Sequence, residues 1–234
     1  MIKAAIEVIE ERGLSGLTLA TVSSRSRVSI GSIYNRVDSK EALVREVQAV
    51  VLQRMEKEFA VLVNRVRRRM LPLRELVPVM VWELAHHLRR YAPLLTAFMQ
   101  QADRDSVVEE VGRKAYQQSV LDFQLVLLER KEEFRHPDPE HATATCFSVA
   151  YASLARHLGL DSRPSAPGQR GPEEGNWQQL VQDLGAMSLA FMMIDIDQAV
   201  AATRAVGPQR RKAGKSRARD DLLGVASLDR KGHV

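Results

Sequence analysis

Residues 18–43 read TLATVSSRSRVSIGSIYNRVDSKEAL, and residues 4–16 ahead of them read AAIEVIEERGLSG. The spacing predicts two helices of about two turns, over 18–25 and 29–36, around a three-residue turn. A long helix then begins at Asp38 or Ser39. Each segment opens on a good N-cap residue, and Asp38 with Glu41 has capping-box spacing. Leu19, Val22, Val28, Ile33 and Val37 are spaced to share a core with a first helix whose face is Ile2, Ala5, Ile6 and Ile9 and which stops at Gly13. Helices this short do not stand alone. A short second helix kept on a surface suits insertion into a groove, which is how a helix-turn-helix enters the DNA major groove. Its outward face would carry Ser29, Ile30, Gly31, Ser32, Tyr34, Asn35 and Arg36, small residues flanked by groups able to bond phosphates.

The same stretch, with its pattern VS-x-GS-I-Y-N-x-V-x-SKEAL, resembles the DNA-binding domain of the TetR family of bacterial repressors over roughly residues 1–48. The resemblance implies that Ile30, Gly31 and Ser32 face base edges, with Ile30 against a thymine methyl. It implies phosphate contacts for Tyr34, Asn35 and Thr18, and for Lys40 in the first turn of helix 4, where free N–H groups favour an anion. Three positions depart from the family pattern. Arg27 stands where Gly is common, and a left-handed conformation there would cost roughly 1–2 kcal/mol. Val37 stands where Phe is usual, thinning the small core. Met1 falls inside the first helix, so an upstream extension carrying Arg or Lys is expected.

Beyond this segment the pattern is helical throughout. The chain has 234 residues, 45% apolar and 27% charged but only 5% aromatic, which excludes wholesale disorder. Apolar residues recur at i, i+3, i+4 and i+7 between Pro/Gly breaks, so the expected fold class is all-α. Leu43, Val47, Val51, Met55, Phe59 and Val63 form an i+4 ridge on the long helix, which ends at the basic run Arg65, Arg67, Arg68 and Arg69. Further helices are expected at 72–90, 93–102, 106–133, 139–159 and 177–205, with a break at Pro93 and a loop over 162–175. This gives a helix-turn-helix domain over 1–48, a helical effector-binding and dimerisation domain over 49–206, and a basic, disordered tail over 207–234. The net charge of +5 lies wholly in that tail, with eight Lys/Arg against three Asp/Glu. The longest charge-free apolar stretch, between Asp183 and Asp195, is too short to span a bilayer. The single Cys146 and the absence of a signal-peptide pattern point to a reducing cytosol.

Trp82, His86, Phe98, Met99, Tyr116 and Phe123 are the candidate lining of an apolar ligand cavity, with His86 or Gln117 as polar handles. The 177–205 segment is apolar nearly all round, and the preceding helix offers small residues. Ala144, Ser148, Ala152, Leu184, Phe191 and Met192 are therefore the candidate dimer interface of a four-helix bundle. Adjacent His86 and His87 diverge by about 100 degrees on a helix and do not face one ion together. Cys146 reads as a small buried filler, and the arginine run as a solvated helix end. No nucleophile, base and orienter assemble from known motifs, so neither catalysis nor a cofactor is expected. The expected protein is a homodimeric regulator in a bacterial cytoplasm, at the nucleoid, whose partners are a palindromic double-stranded DNA operator and a small apolar effector. The alternative is a helical protein–protein adaptor that has lost DNA reading.

Overall fold

Side-chain caps fix where most of the helices begin. In a computed structural model, whose described residues are 1–160 and 174–195, eight α-helices and one short 3-10 turn follow one another, and there is no strand among the described residues. Helix α1 (Ile2–Gly16) turns sharply at Gly13, whose φ of 65° only glycine adopts without strain. Helix α2 (Leu19–Ser26) is capped by Thr18 and α3 (Ile30–Tyr34) by Ser29. Helix α4 (Lys40–Arg67) is capped by Ser39, which accepts from the N–H of Ala42; of the two expected starts, Asp38 and Ser39, the second is used, so the Asp38–Glu41 box does not form. The capping box is found on α2 instead, where Thr18 and Thr21 exchange side-chain and backbone hydrogen bonds at 3.0 and 2.9 Å.

Helix α5 (Leu73–Ala102) runs unbroken through Pro93, against the expected break. Proline inside a helix costs about 3 kcal/mol. Here its ring faces solvent while Tyr91, Leu94, Ala97 and Phe98 around it are buried, and each large apolar side chain so buried contributes roughly 1.5–3 kcal/mol. Packing therefore outweighs the local penalty. The N–H of Leu73 at the start of α5 is taken by the Glu133 carboxylate at 2.7 Å, which explains why residues 131–133 form a 3-10 turn beyond α6 (Ser106–Leu128) instead of prolonging it.

Helix α7 (Pro139–His157) is capped by Asp138, and α8 (Glu174–Met192) begins three residues before the expected 177. The C-terminal end of α8 is closed by the N–H groups of Arg135 and His136, both donating to Met192 O at 3.1 Å. The helix therefore ends at Met192 instead of running on to the expected 205, and residues 193–195 are already out of it; residues 196–205, most of the 162–175 loop and the basic tail lie outside the described residues. Helix α5 is central and packs against α1, α4, α6, α7 and α8. It meets α8 closely at Pro78, where a Cβ on Gly185 would lie 3.2 Å from Pro78 Cα.

Two apolar clusters result. One lies among α4 to α8, around Phe123, Phe147 and Trp177. The other joins α1–α3 and the start of α4 to Tyr91, Leu94, Ala97, Phe98 and Val108. Of the basic run, Arg65 pairs with Glu83 at 2.8 Å and Arg67 pairs with Glu129, so half of it serves helix packing. Cys146 is buried, and burial pushes its thiol up to about 11. No helix among the described residues is long and apolar enough to cross a membrane.

Arg27 ends α2 at φ 56° and ψ 24°, the left-handed conformation in which a side chain is disfavoured. Arg27→Gly is therefore expected to raise unfolding stability by about 0.5–1 kcal/mol, read as a higher urea midpoint with an unchanged slope.

Candidate nucleic-acid interface

Helix α3 has only five residues and is held from three sides. Ser29 Oγ accepts from the N–H of Ser32 at 3.1 Å, Ser23 Oγ on α2 donates to Val28 O at 2.7 Å, and Ile33 is fully buried. Around Ile33 the core contains Leu17, Val22, Val37 and Leu43, all of them nearly or fully buried. Helix α2 is tied to α1 by a two-pronged bridge from the Arg25 guanidinium to the Glu11 carboxylate, both contacts at 2.6 Å.

With Ile33 facing inward, the rest of α3 must face out. Ser29, Ile30, Gly31, Ser32, Tyr34, Asn35 and Arg36 are all exposed, as is Thr18 at the start of α2. Ile30 and Tyr34 are large and about half exposed, a cost in water that the fold itself does not explain. Gly31 is equally unexplained from within. A Cβ there would meet nothing within 4 Å, yet glycine inside a helix costs about 1 kcal/mol relative to alanine. Arg36 reaches Glu46 on α4 at 3.3 Å, an exposed and weak pairing. Lys40 differs from the expected free anion ligand, because its ammonium donates to Leu14 O at 2.9 Å and ties the end of α1 to the start of α4. An ammonium has three donors, so two remain.

These features coincide with a sequence match. The profile described as "Bacterial regulatory proteins, tetR family" matches residues 1–47. Residues 1–47 are a TetR-family domain. Beyond these residues the likeness is to solved structures. A protein described as a TetR-family transcriptional regulator from Mesorhizobium loti superposes with a TM-score of 0.64 at 14% identity, covering 82% of this chain and 95% of that one. A transcriptional regulator of Cytophaga hutchinsonii gives 0.62 at 15%, covering 82% and 96%. FadR of Bacillus subtilis, solved in complex with stearoyl-CoA, gives 0.55 at 16%, covering 81% and 96%. At these identities the likeness is one of fold. No curated protein matches the sequence.

Behind the TetR-family domain, α4, α5, α6 and α7 enclose a cavity of about 360 Å³. Of the candidate ligand residues, Phe98, Met99 and Tyr116 line it. Trp82, His86 and Phe123 do not. Trp82 and His86 stack on each other at 3.9 Å in a separate outer groove, because the 100-degree step that separates His86 from His87 turns His87 into the interior. Phe123 is fully buried against Phe147 in the apolar core, and Gln117 is exposed. The residues missed by the sequence reading are Gln48, His87, Ser119 and Tyr151, and only their placement on facing helices reveals them.

The cavity also lies against the joint between α4 and α6. Gln48, buried on α4, donates to Val108 O at 2.8 Å. One turn earlier Arg45 Nε donates to the Asp105 carboxylate at 2.8 Å, and that carboxylate also caps the N–H groups of Val107 and Val108. The Arg45 guanidinium holds the Asp105 carboxyl below its ordinary range.

Of the expected dimer contacts, Ser148 and Ala152 are exposed on α7, with Ala144 half-buried, and Phe191 is half-buried on α8. Leu184 and Met192 are instead buried in the chain's own core. The outward face of α8 is polar at Gln179, Gln182 and Asp183 and apolar at Ala186, Met187 and Ala190, and Ile194 is exposed just past its end. Helical period decides this: once Trp177, Val181, Leu184 and Ser188 point inward, the intervening residues must point outward.

Asp105→Ala removes the α6 cap together with the tie to α4 and is expected to cost about 2–4 kcal/mol in urea unfolding. A lowered carboxylate pKa stabilises the fold above the unfolded value, near 3.9, and that contribution is lost as pH falls through the folded value. Asp105→Asn is therefore expected to flatten the acid limb of the stability profile.

Proposed function

We propose that the chain is a homodimeric repressor that reads a palindromic operator through α3 and is released by a small apolar effector in the cavity. The observation that carries the DNA reading is the outward face of α3: exposed Ile30 and Tyr34 and an unobstructed Gly31 on a helix pinned by Ile33. On this reading Ile30, Gly31 and Ser32 meet base edges, while Thr18, Ser29, Tyr34, Asn35, Arg36 and the spare donors of Lys40 meet phosphates. The working place of such a protein is the DNA of a bacterial cytoplasm.

The outward faces of α7 and α8 support the dimer. Met187 is 59% exposed, Val149 47% and Ile194 40%, among the small residues Ser148, Ala152, Ala186 and Ala190. Two such helix pairs make a four-helix bundle across a twofold axis. The axis sets two α3 helices about 34–36 Å apart or slightly more, which makes the operator palindromic. Release follows from α4, which starts in the TetR-family domain and forms one wall of the cavity. A ligand that shifts α6 acts on α4 through Gln48 and Arg45 and so changes the half-site spacing. A thousandfold loss of affinity needs about 4 kcal/mol of differential binding between the two states.

The deciding measurement is fluorescence anisotropy with the intergenic DNA upstream of the gene. Tyr34→Phe is expected to weaken binding to all sequences alike, and Ile30→Ser to change which operator is preferred. Lys40→Gln keeps a donor for Leu14 O and is expected to lower the salt slope by about one per subunit. Unchanged affinity in all three variants would refute DNA reading by α3. For the dimer, Met187→Glu is expected to give monomers in sedimentation velocity, whereas Val61→Glu, on the exposed face of α4, leaves the dimer intact.

A further inference from the structure

The polar groups of the cavity are not equally free to serve a ligand. One N–H of the Gln48 amide is taken by Val108 O, and the Ser119 hydroxyl donates its proton to Ala115 O at 3.0 Å. Burial lowers the pKa of His87, so its ring is neutral at physiological pH, and it packs against Phe59 and Tyr91. Tyr116 and Tyr151 differ. Their rings meet edge to face at 4.9 Å, and neither hydroxyl has a hydrogen-bond partner among the described residues. Burial raises the pKa of Tyr151, so its phenol stays protonated and remains a donor. The rest of the wall is apolar, with Leu52, Met55, Phe59, Leu88 and Phe98 as its larger members.

Among the described residues, charge is confined to three lining residues. Glu109 and Arg113 are exposed, and Glu56 is half-buried. The Arg113 guanidinium is already committed to Glu110 through contacts of 3.0 and 2.6 Å. Among the described residues no lysine lines the cavity, and no other arginine. A carboxylate or phosphate drawn inside would thus lose water without gaining a free cation, beside a lining that holds two carboxylates.

We propose that this cavity takes an uncharged, mostly apolar molecule carrying one hydroxyl or carbonyl oxygen, which accepts hydrogen bonds from Tyr116 and Tyr151. The proposal rests on the reading of the cavity as the effector site and names the chemistry of what enters it. An uncharged ligand pays no Born penalty on entry, and its single oxygen finds two donors that the fold leaves unused. A long acyl thioester of coenzyme A, with its phosphates, does not meet these terms.

Isothermal titration calorimetry on the full chain tests this with four probes that share one ring system: naphthalene, 2-naphthol, 2-naphthoate and (2-naphthyl)trimethylammonium. Stearoyl-CoA is a fifth arm. The expected order places 2-naphthol first, roughly three- to tenfold tighter than naphthalene, as one or two net hydrogen bonds allow. The anions and the cation are expected to bind at least tenfold more weakly than 2-naphthol. In the double variant Tyr116→Phe/Tyr151→Phe, 2-naphthol should fall to the affinity of naphthalene while naphthalene itself is unchanged, a pattern that misfolding would not produce. Ala115→Trp, which fills the cavity, should abolish binding of every probe. Equal or tighter binding of 2-naphthoate, stearoyl-CoA or the cation would overturn the proposal. So would a hydroxyl preference that survives the double variant, or failure of all the naphthalenes to bind. If 2-naphthol binds with the expected tyrosine dependence but leaves operator affinity unchanged, the ligand chemistry stands and the effector role of the cavity fails.

Discussion

Burial of one side chain, Ile33, orients everything else at the amino-terminal end. A five-residue helix has no stability of its own, since nucleating a helix fixes several residues before hydrogen bonds compensate. Its existence depends on Ile33 filling the space between Leu17, Val22, Val37 and Leu43, with the Ser29 cap satisfying one end and Ser23 fastening the preceding turn. Once Ile33 points inward, the 100-degree step of a helix leaves Ile30 and Tyr34 no position except the surface. The presented face is thus a consequence of the core, and a change at Ile33 would affect all of its residues together.

Helix α4 gives that small core a rigid connection to the remainder of the chain. It carries Leu43, Val44 and Val47 into the amino-terminal cluster, and Phe59, Val63 and Val66 into the second cluster. Tyr91 and Phe98 of α5 complete the first cluster from the other side, so the three short helices rest on two long ones. Tyr91 is further fixed by donating to Glu58 at 2.8 Å and accepting from Arg54 at 3.1 Å. A displacement of α4 therefore moves the α3 face as a unit instead of being absorbed in a flexible linker.

The amino-terminal fifth of the chain was legible in the sequence because local signals agree there. Caps at Thr18 and Ser29, the glycine at 13 and apolar spacing through Val37 all specify the same local structure. Elsewhere local signals competed with packing. Pro93 reads as a break, yet the buried neighbours Tyr91 and Leu94 keep the helix continuous. Aromatic residues cannot be sorted into cavity wall and solid core from one helix alone. Phe98 and Phe123 look alike in sequence, and only their facing helices make one a lining residue and the other a fully buried one. The same applies on α8, where an apolar stretch marks burial without telling which residues bury against their own chain. Leu184 and Met192 do so, while Met187 does not.

The energetics of release in the proposed mechanism limit how it works. The polar ties between α4 and the start of α6 are few: the Gln48 amide on Val108 O, and Arg45 on an Asp105 carboxylate that is itself nearly buried. A hydrogen bond between neutral groups contributes about 0.5–1.5 kcal/mol net, and one to a charged group about 1.5–3 kcal/mol. Breaking the first alone supplies too little to account for a thousandfold change in DNA affinity, about 4 kcal/mol. Both ties together come close to it. An effector that merely competed for the Gln48 amide would thus be a weak inducer. One that wedges α6 outward, separating Asp105 from Arg45 as well, engages the whole joint. The apolar wall of the cavity suits the second action, since a close-packed interior passes displacement on instead of damping it. Ligand volume, more than any single polar contact to α4, should then set the strength of induction.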